Sequence, residues 1–147
     1  MDSLRLLLID DTDFGSVLEK AVRDAGQSSS GIAVATDMRQ AVQRLWQLCW
    51  RQPDQLPHLI VVSTRFAGGG SGYRLLRFLH RHPVLRRIPL MAYCPGGSSA
   101  DRRRARALGA RFCVDKSAGT VETSRFLAHV LRLVASPERP APFEKAR

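Results

Sequence analysis

Asp10 and Asp11 are adjacent carboxylates directly behind a short apolar run, Leu4–Ile9. Two neighbouring carboxylates can hold a divalent cation through their oxygens. They can equally cap a following helix and pair with an ammonium such as Lys116. Residue type alone leaves both readings open. Ser63 closes another apolar run, "PHLIVVS". A serine hydroxyl is a poor nucleophile without a base beside it, and no histidine falls near this position in the order of predicted strands. The plain reading of Ser63 is a small residue that fits. Cys94 and Cys113 end or occupy two further runs, and thiols are weak hydrogen-bond donors. On neighbouring strands their sulfurs could meet as a redox pair; the plain reading is two small core residues. "GGGSG" at 68–72 lacks the P-loop lysine and the context of a dinucleotide fingerprint, so it reads as a flexible loop.

These residues gather only if the intervening chain stacks them at one edge. Leu4–Ile9, Ile32–Ala35, Leu59–Val62, Ile88–Tyr93 and Arg111–Val114 read as short strands; the near-continuous apolar ones suit burial on both faces. Between them lie helical spacings: Phe14–Ala25 closed by Gly26, Met38–Trp50, Tyr73–Arg81, and Ala100–Leu108 capped by Ser98 and closed by Gly109. Thr120–Val134 is the last. Strand and helix alternate five times, which implies a parallel α/β sheet with right-handed crossovers and helices on both faces. In such a sheet chemistry sits at the carboxyl ends of the strands, where Asp10, Asp11, Ser63, Cys94 and Lys116 fall. Residues 1–135 are expected to form this domain, and 136–147, rich in proline and charge, a flexible tail.

Composition narrows the classes. The 147 residues suit one domain, and no apolar run approaches the ~20 residues of a membrane helix. The first ten residues lack a signal-peptide pattern, and three cysteines without metal spacing fit reduced thiols, so a cytoplasmic location is expected. The net charge is +10, carried almost wholly by arginine, since Lys20, Lys116 and Lys145 are the only lysines. A basic balance permits a nucleic-acid partner, but no helix-turn-helix pattern or aromatic platform accompanies it.

Four segments in order resemble the receiver domain of response regulators (CheY-like, flavodoxin-like fold), over roughly residues 4–134. "LLLIDD" resembles that family's first strand with its acidic pair, and "PHLIVVS" its third strand. "HPVLRRIPLMAYC" is similar to the lead into strand four, and "ALGARFCVDKS" to strand five with the family lysine, here Lys116. The resemblance implies a five-stranded parallel sheet of order 2-1-3-4-5. It also implies a site in which carboxylates hold Mg²⁺ and a lysine pairs with a phosphoryl group bound to an aspartate. This chain departs from the pattern at the acceptor, where Ser63 stands in place of aspartate. It departs again at two positions of the output switch, Cys94 for a hydroxyl residue and Cys113 for an aromatic one.

The resemblance therefore implies a degenerate receiver (a pseudo-receiver), not an enzyme, in bacterial two-component phosphorelay signal transduction, requiring no cofactor and binding Mg²⁺ weakly at most. It is expected to work by protein–protein interaction as a stand-alone domain without its own output domain. The partner would be a kinase, another regulator or a second copy in a homodimer. The expected surface is the helix-four and strand-five face, with Arg102, Arg103, Arg104 and Arg106, for which the bland reading is a solvated helix. Two other classes remain: a regulator phosphorylated on an unusual acceptor, and a basic nucleic-acid-binding accessory protein, which ranks last.

Overall fold

Leu6–Ile9 forms β1, with all four residues buried, and it lies between β2 (Ile32–Ala35) and β3 (Leu59–Ser63). The structure is a computed structural model, described here for residues 4–10, 14–27, 31–66, 71–94, 98–115, 120–135 and 144–145. β4 (Leu90–Cys94) and β5 (Phe112–Asp115) continue the sheet, and every pairing is parallel. The order is β2-β1-β3-β4-β5, as the resemblance implies, in a parallel sheet as the alternation of elements implies. Two residues of the segment expected to be a flexible tail, Glu144–Lys145, add a short parallel β6 beside β5. The rest of that segment lies outside the described residues.

Strand side chains alternate between two cores. Leu6, Leu8, Leu59, Val61, Phe112 and Val114 face α1 (Phe14–Asp24) and α5 (Thr120–Ala135). Leu7, Ile9, Ile60, Val62 and Ala92 face α2 (Met38–Arg51), α3 (Gly72–Arg81) and α4 (Ser99–Ala107). Burying both faces is what makes these strands read as unbroken apolar runs rather than alternating ones.

Local chemistry sets the ends. Ser98 Oγ accepts the Asp101 N–H at 3.0 Å and caps α4, and Asp37 accepts from Gln40 N at 2.8 Å to cap α2. Gly26 and Gly109, at φ 79° and 105°, close α1 and α4. β4 starts two residues later than its sequence suggests, because Leu85–Arg87 winds into a 3₁₀ turn closed by Ile88 N–H on Leu85 O. Pro53–Gln55 forms a second such turn between α2 and β3. Trp46 and Trp50 are surface residues of α2, edge to face at 5.8 Å. No described helix is long and apolar enough to cross a membrane.

Candidate functional site

The sheet brings Asp10, Ser63, Cys94 and Asp115 to one edge. Ile9 pairs with Val62, so Asp10 and Ser63 follow at the same level; Ser63 pairs with Tyr93, and Cys94 with Asp115. Asp10 is buried, and its N–H donates to Ala35 O at 3.0 Å. Asp11 and Lys116, expected here, lie outside the described residues.

Ser63 is fully buried, and its hydroxyl donates to the Arg65 carbonyl at 2.7 Å. That bond is local: it fixes the turn leaving β3, where Arg65 bridges Ser71 and Gly72 N–H returns to Thr64 O at 3.1 Å. Gly72 is required at this return, since a Cβ there would collide with the Ser63 carbonyl. The Ser63 proton is thus committed to backbone. Beside it Phe14 stacks on Tyr93 with centroids 4.0 Å apart.

The Mg²⁺ chemistry implied by the resemblance would draw on Asp10 and Asp11, of which Asp10 lies among the described residues. Among the described residues no three His, Cys, Asp or Glu side chains come together as a metal-binding group, and Ser63 contributes no carboxylate.

Cys94 and Cys113 do meet. Both are fully buried, with sulfurs 3.2 Å apart, close enough for one S–H to bond the other sulfur. The two titrate as a pair: the shared hydrogen bond favours the first thiolate and, with burial, pushes the Cys113 thiol up.

The four arginines of α4 are not equivalent. Arg102 turns to the end of β5 and pairs with the buried Asp115 at 3.4 Å. Arg104 lies over the Tyr73 ring, 4.1 Å from its centroid. Arg103 and Arg106 are exposed. Of the four arginines expected on the partner surface, Arg102 and Arg104 thus also make contacts within the domain.

Tyr73, Asp101 and Asp115 were missed by sequence reasoning. Tyr73 Oη donates to Asp101 at 2.9 Å across 28 residues of chain. Burial, and then that bond, raise the Tyr73 phenol to about 12, and the same bond holds the Asp101 carboxyl below its ordinary value. The available signal was faint: an acid in the first turn of a helix capped by Ser98, and a tyrosine opening the helix before it.

No protein-family model matches the chain, and no curated protein does. Solved structures match over nearly its whole length. A response regulator of phytochrome signalling from a cyanobacterium, RcpA, solved in its phosphorylated form, has TM-score 0.74 at 17% identity, covering 93% of this chain and 97% of its own. A putative response regulator from Chloroflexus aurantiacus has TM-score 0.68 at 21% identity, covering 89% and 99%. The receiver domain of a sensor histidine kinase from Pseudomonas aeruginosa, solved with magnesium in its active-site cleft, has TM-score 0.64 at 22% identity, covering 89% and 99%. The fold of this chain is therefore that of response-regulator receiver domains.

Proposed function

We propose that the chain is a receiver-like signalling domain of the two-component type that acts by binding other proteins and does not accept a phosphoryl group at the end of β3. The observation that carries this reading is Ser63: it is fully buried, and its hydroxyl is spent on the Arg65 carbonyl at 2.7 Å. A phosphoryl acceptor needs an oxygen free to attack and a group that activates it, and this hydroxyl already gives its proton to a backbone carbonyl. Cys94 and Cys113, packed against each other, stand where the resemblance places the residues that relay phosphorylation to the surface. On this reading the domain signals from a fixed conformation or one set by its partner, as an interaction module rather than an enzyme, in the cytoplasm. The partner is a kinase, a regulator or a second copy, met through the α4 and β5 face, where Arg103 and Arg106 are exposed.

Intact-mass spectrometry after incubation with acetyl phosphate and Mg²⁺ tests it, with Ser63→Asp and Ser63→Ala alongside. The wild type is expected to stay unmodified. A gain of one phosphoryl group that Ser63→Ala abolishes would make Ser63 an acceptor and overturn the reading. A gain in Ser63→Asp alone would mean that a working pocket lacks only its nucleophile.

A further inference from the structure

α3 turns Leu75, Leu76 and Leu79 into the core and leaves Arg74, Arg77, Phe78 and Arg81 on one outward stripe, spaced i, i+3, i+4 and i+7. Across a groove stand α4, contributing Arg104, and its C-cap residue Leu108. The groove has a cavity volume of about 880 Å³, within the ~300–1,000 Å³ range of built ligand sites. Its floor is apolar, with Phe78 and Leu108 half-buried, and its rim is guanidinium.

The charge on the α3 side of this rim is uncompensated among the described residues. The sequence holds no Asp or Glu between Asp54 and Asp101. Among the described residues Arg74, Arg77 and Arg81 have no carboxylate partner. Asp101, the nearest acid in sequence to the groove's α4 wall, is engaged by Tyr73. Like charges at helical spacing repel one another, so the stripe is held at a cost that an anionic partner would relieve. Arg74 to Arg81 span roughly 10 Å at 1.5 Å per residue, a length suited to an elongated anion and too long for a single phosphate.

We infer that the α3–α4 groove is a docking site for an acidic amphipathic segment of a partner protein, whose carboxylates meet Arg74, Arg77 and Arg81 and whose apolar side chains sit on Phe78 and Leu108. A nucleic acid fits less well. The Tyr73 ring is under Arg104, and Phe78 already packs against His82 at 5.8 Å, so the groove offers no bare ring on which a base could stack. The inference adds a partner surface on the α3 side of α4, beside the α4 and β5 face of the proposed function, and is independent of whether Ser63 can be phosphorylated, so the mass measurement and the one below can fail separately.

The test is fluorescence anisotropy at physiological salt with a labelled glutamate–leucine amphipathic peptide of about 14 residues, roughly four helical turns, and an oligothymidylate of matching length. Wild type should bind the peptide. Arg77→Glu/Arg81→Glu should weaken it at least about tenfold, while Arg23→Glu/Arg132→Glu, an equal charge change on the α1 and α5 face, should change it less than about threefold. Phe78→Ala should also weaken it, by about three- to tenfold, with circular dichroism confirming that each variant is folded. No peptide binding overturns the inference. So does equal loss in both charge variants, which would mean undirected attraction to a basic protein. Tighter binding of the oligothymidylate, lost in Arg77→Glu/Arg81→Glu, would make the groove a nucleic-acid site.

Discussion

Ser63 and Tyr73 are two buried hydroxyl side chains with opposite fates. Ser63 gives its proton to a carbonyl two residues away and so shapes only its own turn. Tyr73 reaches a carboxylate 28 residues away and ties the start of α3 to the first turn of α4, with Arg104 closing over its ring. Tyr73→Phe keeps the ring and removes that bond, so it is expected to cost about 1 kcal/mol at neutral pH, read from urea unfolding. The pH dependence follows from the phenol, raised from 10.0 to about 12 by burial and by Asp101. Below pH 10 it is protonated in the folded and unfolded chains alike, and its contribution is fully present. As pH rises through 10 towards about 12 the unfolded phenol ionises first, and the contribution is lost. A tyrosinate absorbance titration should show a late component that is missing in Tyr73→Phe. A wild-type titration without that late component would mean that burial and Asp101 together do not raise the phenol.

At the scale of elements, two glycines carry different burdens. Gly72 opens α3 against the Ser63 carbonyl, so Gly72→Ala must move backbone, and a loss of about 2–3 kcal/mol is expected. Gly109 closes α4 at φ 105° with the His80 ring where a Cβ would stand, so Gly109→Ala should lose at least about 1–2 kcal/mol through strain and contact together. Urea midpoints of the two variants check both values; a near-neutral Gly72→Ala would show that α3 can shift away from β3. Gly109 was legible in sequence, because a glycine behind a helical spacing marks its end. Gly72 was read as loop, because a close approach to a carbonyl of another element leaves no local trace. The same limit explains the rest. Strand identity followed from apolar runs that must be covered on both faces, and strand order from the resemblance to receiver domains, whereas the 3₁₀ turn at Leu85–Arg87 displaced the start of β4 without any periodicity to betray it. In the candidate site, Asp10 and Ser63 were legible as residues at strand ends. The Arg102–Asp115 pair and the Tyr73–Asp101 bond were not, since each depends on how two helices and a strand settle in space.

The whole molecule is strongly one-signed, with 23 Lys and Arg against 13 Asp and Glu. Its arginines are not evenly used: Arg102 and Arg104 are absorbed by Asp115 and Tyr73, while the α3 stripe is left uncompensated among the described residues. Self-repulsion of this kind is relieved by salt, whereas attractive ion pairs are weakened by it. Repulsion dominates here, so stability should rise as NaCl increases from about 0.01 M, where charges are felt over ~30 Å, to about 0.15 M, where they are felt over ~8 Å. Urea midpoints at the two salt concentrations measure this, with an unchanged m-value showing that compactness is the same. Arg77→Gln/Arg81→Gln removes the middle and end of the α3 stripe and should stabilise the low-salt protein by several tenths of a kcal/mol to about 1 kcal/mol, with a smaller response to added salt. A protein that loses stability with salt, or a variant whose salt response equals the wild type's, would mean that the stripe carries no repulsive strain and that a partner has nothing there to relieve.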